Sequence, residues 1–352
     1  MIELTGRDVS ALLTTAKKSS APLVITSSVD STEVRAYNDM ESILVTLPGT
    51  RSGGVDETLR ISPSMFVGVA SAKTGVTISD TEISNGRSKV SLRKMEPDPR
   101  EALFSTFNPD AFPVDVTLSA DDVHAISNGL AAANRGSKMA SSSCFLFLED
   151  GTVRFVSTDF YRIYLRDVGV VRGEFKPGPH MVTNASVATM KMLAGNGGAT
   201  ISFGGNLVGM KMGNVEVVTP SSSEAPKNYS LFTMLPSEGD VVAHVDMEDV
   251  VAFTKTSSLL RLATTTEFVI REEEIDASTV SESGDKTEMT IPADDLTDGL
   301  GDEDAVIVDV TPALIASVGG AVSGVVTMWI TRSTLGFRDE DGNVFHIVKK
   351  RM

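Results

Sequence analysis

Six times along this chain a short alternating strand runs into a Ser, Thr, Asn or Asp, and apolar residues at helical spacing follow. The caps are Thr5, Ser62, Ser119, Asn184, Asp246 and Thr311, separated by 57, 57, 65, 62 and 65 residues. Those intervals exceed the period of common solenoid repeats, yet each is too short to make a domain alone. Paired units solve the problem, and they predict three domains, residues 1–112, 113–237 and 238–352, of about 115 residues each.

The chemistry at each start is specific. A cap side chain satisfies backbone N–H groups that the first helical turn leaves unpaired, and an apolar stripe then gives the helix a face to bury. Val9, Leu12, Leu13 and Ala16 follow Thr5 in this way. Ser62-Pro63 precedes Phe66, Val69 and Ala70, and Thr311-Pro312 precedes Leu314, Ile315 and Val318. Proline fits the first helical position because its missing N–H costs nothing there. Ser119 with Asp122, and Asp246 with Asp249, place an acid three residues past the cap, near the positive end of the helix dipole. Val123, Ile126 and Leu130 face inward from the third helix, as do Val250 and Phe253 from the fifth.

The strands that lead into these helices are Ile2–Leu4, Leu59–Ile61, Val114–Leu118, Met181-Val182, His244-Val245 and Val306–Val310. Further strand candidates lie between Gly, Asn and Asp turns, among them Val76–Ile78, Lys89–Leu92, Cys144–Leu148, Val153–Ser157 and Thr327–Thr331. Strands outnumber helices and do not alternate singly with them. The expected class is therefore α+β, with antiparallel sheets and helices on one face.

No apolar run approaches the length that crosses a bilayer, and the first residues enter a strand without a basic segment or signal core. With a single cysteine, Cys144, no internal disulfide forms, and a cytoplasmic location is expected. The formal charge of −16 is unevenly spread. Residues 1–112 carry 12 basic and 14 acidic side chains, residues 113–237 carry 10 and 10, and residues 238–352 carry 9 and 23. Within 267–309 fifteen acids, including Glu272-Glu273-Glu274 and Asp302-Glu303-Asp304, face only Arg271 and Lys286. A solvated acidic face accounts for that run. Basic residues gather on and just after the predicted helices: Arg7, Lys17, Lys18, Lys73, Arg135, Lys138, Lys191, Lys255 and Arg261. Taken singly they complement helix dipoles; taken together they would give one side of an assembly a field that attracts phosphate.

Catalytic chemistry finds little support. The four histidines, His124, His180, His244 and His346, have no zinc spacing. Gly195-Asn196-Gly197-Gly198 follows a helix and lacks the Lys-Ser/Thr of a phosphate loop, so it reads as a helix stop. There is no Gly-x-Ser-x-Gly elbow, and Asp294-Asp295 sits in an acid-rich polar stretch. Neither an enzyme nor a cofactor is expected.

Thr158-Asp159-Phe160-Tyr161-Arg162-Ile163, after the strand Val153–Ser157, resembles the Thr-Asp-Gly-His-Arg-Leu segment of bacterial sliding clamps, the beta subunit of DNA polymerase III. Asn85-Gly86-Arg87-Ser88-Lys89-Val90-Ser91-Leu92 resembles that family's Ser-Gly-Arg-Ser-x-Phe-x-Leu strand, and Met234-Leu235-Pro236 its domain-closing Leu-Pro. Element order and length match over essentially the whole chain. The resemblance implies a clamp fold and a head-to-tail homodimeric ring. That ring would encircle duplex DNA non-specifically and confer processivity on the polymerase. ATP would belong to a separate clamp loader. The basic residues named above would face DNA, and Arg87, Lys89 and Leu92 would lie at the dimer interface. A cleft for polymerase and clamp-loader peptides would use Thr158, Phe160, Tyr161, Arg162, Ile163, Pro236, Ile347, Val348, Arg351 and Met352.

Two departures bear on that cleft. Phe160-Tyr161 replaces Gly-His, and Val348-Lys349-Lys350-Arg351-Met352 replaces the family's Met-Pro-Met-Arg-Leu end. An aromatic pair can build an apolar pocket and two lysines can recruit an acidic peptide, which predicts altered specificity. The alternative, that Phe160 and Tyr161 pack a strand end, stays open. So do two other functions: a structural or adaptor protein built from the same repeat without encircling DNA, and a weak hydrolase with an unrecognised Ser or Asp site.

Overall fold

The computed structural model describes residues 1–48, 57–70, 74–108, 115–133, 143–149, 152–159, 161–169, 171–172, 178–193, 195, 197–204, 206–222, 241–260, 263–271, 273–294, 306–331 and 334–349. Every strand pairing among them is antiparallel. The chain divides into two compact units.

The first unit comprises Met1–Ala120, Val171–Phe175 and Met192–Ser221. Its strands are β1 (Ile2–Leu4), β2 (Leu23–Ser27), β3 (Ser31–Tyr37), β4 (Ser42–Pro48), β5 (Glu57–Ile61), β6 (Val76–Ile78), β7 (Glu82–Ser84), β8 (Lys89–Ser91) and β9 (Asp115–Leu118). The second comprises Asp121–Val170, Lys176–Lys191 and Ser222–Met352. It begins with β10 (Ser143–Glu149), β11 (Thr152–Thr158) and β12 (Arg162–Gly169). The chain then gives β13 (Val171–Arg172) to the first unit and β14 (Gly178–Val182) to the second. β15 (Ala199–Gly204), β16 (Leu207–Met212) and β17 (Val215–Pro220) complete the first. The second continues with β18 (Val241–Asp246), β19 (Ala263–Ile270), β20 (Glu274–Ser281), β21 (Lys286–Pro292), β22 (Val306–Val310), β23 (Val325–Ile330), β24 (Thr334–Arg338) and β25 (Asn343–Val348).

Each unit holds one long and one short sheet. The first has a nine-stranded sheet, β13-β9-β15-β16-β17-β4-β3-β2-β5, and a four-stranded one, β1-β6-β7-β8. The second has an eight-stranded sheet, β14-β10-β11-β12-β25-β24-β23-β18, and a four-stranded one, β21-β20-β19-β22. Residues 113–237 thus contribute strands to both long sheets, and the two units do not follow the predicted domain boundaries.

The capping logic is visible in the helices. α1 (Gly6–Lys18) starts with a capping box: the Asp8 N–H donates to Thr5 Oγ1, and the Thr5 N–H donates to the Asp8 carboxylate. Its stripe of Val9, Leu12 and Ala16 is buried, as expected, while Leu13 is only half-buried. α2 (Pro63–Val69) buries Phe66 and Val69, but Ser62 makes no side-chain cap bond, and Pro63 and the preceding backbone define its start. α3 (Pro99–Ser105) is absent from the sequence expectations. Asp98 caps it in a second capping box with Glu101, which Arg60 grips at 2.8 and 3.0 Å. That grip holds the Glu101 carboxyl below its usual range. Phe104 then packs on Tyr37 in a cluster with Ala21, Leu207 and Val218. Phe107 lies so close to Gly204 and Gly209 that a Cβ at either would come within 2.7 or 2.4 Å of its ring.

α4 (Ala120–Ala133) buries Val123, Ile126 and Leu130. Its Gly129 lies against Tyr164, so that a Cβ there would fall 2.2 Å from the ring. α5 (Asn184–Leu193) corrects one expectation: Asn184 is already helical, and Thr183 Oγ1 accepts from the Ser186 N–H. α6 (Met247–Ser257) is capped by Asp246, and its Phe253 meets Phe268 edge to face at 6.0 Å. α7 (Pro312–Ile315) lasts only four residues before a 3₁₀ turn, Val318–Gly320. Thr311 makes no side-chain cap bond there, and Leu314, Ile315 and Val318 are nevertheless buried.

Candidate functional site

The segment Thr158–Ile163 is a turn built around one carboxylate. Asp159 Oδ1 accepts from the backbone N–H groups of Tyr161 and Arg162, both at 3.2 Å, while Oδ2 accepts from the Arg162 guanidinium at 2.7 and 2.8 Å. Both partners are buried, so the pair excludes water from the turn. Thr158 donates its hydroxyl to the Arg162 carbonyl at 3.0 Å. These bonds explain the Thr-Asp-x-x-Arg pattern locally, whatever stands between.

The turn delivers β12 onto the C-terminal strand. Ile163 pairs with His346 and Arg162 with Ile347, and the Val348 N–H donates to the Tyr161 carbonyl at 2.8 Å. Because side chains alternate, Thr158, Ile163, His346 and Val348 share one sheet face, while Arg162 and Ile347 point to the other. The first face carries the cluster Val156, Ile163, Leu165, Trp329 and Val344, with Met181, Val242 and Val348 packed against it. The opposite face receives α4: Ser157 donates to the Leu130 carbonyl, and Arg166 reaches Asp122 at 2.6 Å. Tyr164 donates to Asn343 at 2.7 Å, and burial pushes its phenol well above the usual value. Tyr161 stands 54% exposed at the end of this arrangement, which makes it a surface aromatic and not a packed strand end. The structure therefore gathers Thr158, Ile163 and Val348 on one apolar face, with Tyr161 beside them, and separates Arg162 and Ile347. Phe160, Pro236, Arg351 and Met352 lie outside the described residues.

Of the predicted phosphate-facing residues, Arg7, Lys17, Lys191 and Lys255 are exposed. Lys18 is partly buried and lies 3.9 Å from Glu41. Lys73, Arg135, Lys138 and Arg261 lie outside the described residues. Lys17, Lys18, Lys191 and Lys255 all occupy last turns, where the dipole favours them. Arg7 occupies the first turn of α1, where the dipole does not favour a cation.

Arg87 and Lys89 flank an edge. β8 ends its four-stranded sheet, and the hairpin before it is fixed by Asn85, whose side chain accepts from the N–H groups of Arg87 and Ser88 and donates to the Val69 carbonyl. Gly86 takes φ +80° there, which its lack of a side chain permits. Arg87 is exposed, Lys89 pairs with Glu82 at 2.5 Å, and Leu92 is half-buried with its N–H donated to the Thr81 carbonyl.

One residue escaped the sequence reading. His346 is 1% exposed, neither ring nitrogen has a hydrogen-bond partner, and it meets Trp329 edge on at 5.3 Å. Burial pushes its pKa down to about 4. The alternation Val344-Phe345-His346-Ile347 marks a strand, but nothing in it announces a buried imidazole. Among the described residues no three His, Cys, Asp or Glu side chains are grouped to hold a metal ion, and no helix is long and apolar enough to cross a membrane.

No family model and no curated protein matches the sequence. Solved structures do match. The DNA polymerase III subunit beta from Pseudomonas aeruginosa superposes with a TM-score of 0.78 at 10% identity, covering 98% of both chains. The beta chain of DNA polymerase III from Streptococcus pneumoniae gives 0.76 at 14% identity, covering 100% of each. The sliding clamp from Bartonella birtlesii bound to griselimycin gives 0.76 at 12% identity, covering 100% of this chain and 99% of that one. The α+β architecture of this chain is thus, from end to end, the fold of the bacterial DNA polymerase III beta-subunit sliding clamps.

Proposed function

We propose that the chain is itself a sliding clamp: three similar domains, 1–112, 113–237 and 238–352, with two copies closing head to tail around duplex DNA and tethering a replicative polymerase. The observation that carries this is the length of the structural likeness. It covers both chains at 98% or more, so the whole length of those clamps has its counterpart in this chain. Encirclement requires no tight grip. A lining of exposed cations such as Arg7, Lys17, Lys191 and Lys255 makes non-specific phosphate contacts that exchange as the ring moves, while the acidic remainder discourages lateral sticking. The polymerase gains effective concentration on its template. This role is non-enzymatic and needs no cofactor, and its setting is the cytoplasm.

Ring closure would join the β8 edge, with Arg87 and Lys89, to an acidic sheet of the other copy. β21 ends that sheet, exposes Glu288 and lies within the acid-rich stretch 267–309. A head-to-tail contact between unlike patches is favoured when their charges oppose. The apolar face around Ile163 and Val348, with Tyr161 beside it, would take partner peptides from polymerase and clamp loader.

The test is topological. Protein loaded onto nicked circular DNA should stay bound through gel filtration and leave once the circle is cut. Equal salt-sensitive loss from circular and linear DNA would refute encirclement.

A further inference from the structure

The sheet face that carries Ile163 and Val348 continues along β12 and β25 into a concavity of about 270 Å³. Leu165, Gly342 and Val344 line it, and Arg154, Arg166, Asp167, Arg338 and His346 supply its polar groups. Arg154 and Asp167 hold each other through two hydrogen bonds of 2.6 and 2.8 Å. Arg166 donates to Asp122 at 2.6 Å and to Asn343 at 2.9 Å, whereas Arg338 and His346 are not spent. Arg338 is exposed and makes no ion pair or hydrogen bond among the described residues. His346 is buried with both ring nitrogens unpartnered, and the neighbouring Trp329 Nε1 is unpartnered too.

Buried polar atoms without partners are rare because each forfeits its hydration, and those that persist call for a partner that the fold does not supply. We propose that this pocket binds the carboxylate of an acidic side chain on a partner peptide, with Arg338 meeting the charge and the His346 N–H completing the bond. The inference rests on the peptide-cleft reading. Ile163 and Asp167 lie four residues apart on β12, a span of about 13 Å. A peptide seated in extended form at the level of Ile163 would present an acid to the pocket about four residues along. A single negative charge suits the site better than a phosphate monoester, because of the three lining guanidinium groups Arg154 is paired with Asp167 and Arg166 with Asp122, which leaves Arg338 alone without a carboxylate partner among the described residues.

The experiment uses the full chain with isotopically labelled histidine, and the His346 ring signal is identified by its loss in His346→Gln. N-acetylglutamate amide should move that signal saturably, N-acetylglutamine amide should bind at least tenfold more weakly, and Arg338→Gln should abolish the response. No saturable shift, or an equal response to the neutral amide, would overturn the proposal. Saturation by inorganic phosphate at lower concentration would overturn the carboxylate assignment. The small probe does not need the cleft, so Tyr161→Ala should leave its titration unchanged while weakening a clamp-loader or polymerase peptide. Failure of the pocket and failure of the cleft are therefore separately visible.

Discussion

His346 should make the second unit acid-sensitive in a way that a single substitution removes. Its folded pKa of about 4 lies below the ordinary value of 6.5. Between those values the unfolded chain holds more protons than the folded one, so stability falls as pH drops from about 6.5 and levels off below about 4. Linkage over the two pKa values puts the loss between pH 7 and pH 5 at about 2 kcal/mol. In His346→Phe, which keeps an aromatic edge against Trp329, this contribution is absent. The variant's stability relative to the parent should therefore rise by about 2 kcal/mol over the same interval.

The measurement is convenient because Trp329 is the chain's single tryptophan, is 0% exposed and touches His346. Urea unfolding followed by its fluorescence at pH 7, 6 and 5, on parent and variant, gives the difference directly. Other titrating groups are common to both proteins and cancel. Parallel stability curves, with a constant difference across pH, would refute the buried neutral imidazole. The variant should also gain at pH 7, since an unsatisfied buried N–H costs about 1–3 kcal/mol. A residue kept at such a cost is the kind found where binding has priority over stability.

Other perturbations read other parts of the molecule. Asp159→Ala removes the acceptor of two backbone N–H groups and strands the buried Arg162, and urea unfolding should register a loss of about 3–5 kcal/mol. Gly129→Ala drives a Cβ to 2.2 Å from the Tyr164 ring, and thermal unfolding should report about 1–3 kcal/mol of destabilisation. Arg87→Glu with Lys89→Glu should weaken self-association at low salt in sedimentation, an effect that vanishes as salt screens the edge; unchanged sedimentation would remove that interface. Arg7→Glu should leave the urea midpoint unchanged or slightly raised, yet flatten the salt dependence of DNA retention by about one unit of slope for each phosphate no longer neutralised.

Local chemistry was legible where it was strong. The Thr5 and Asp246 caps, the buried faces of α4 and α6 and strands such as β1, β6, β10, β11 and β22 follow from spacing alone, because each concerns a few adjacent residues. Asn184 misled by one position: Thr183 and Asn184 both suit a cap, and only the backbone decides. α3 was missed although Asp98-Pro99-Arg100-Glu101 spells a capping box, because seven residues are too few to display a period. The long sheets could not be read at all. Joining β17 to β4 and β12 to β25 requires pairing between segments more than 150 residues apart, and alternation fixes a strand's face without naming its neighbour. The same limit hid the split between Ile163 and Ile347, which follows only once their register is known.

The charge pattern sharpens under the structure. Four described lysines sit in last turns, where any protein would place them, so their presence says little about DNA. Arg7 is different: it stands exposed in the first turn of α1, against the dipole, and Asp8 beside it already serves the cap. A cation held where its own helix disfavours it needs an external reason, and a phosphate backbone is one. If Arg7→Glu lowered stability and left DNA retention untouched, that reason would be local, and the basic lining would reduce to helix capping.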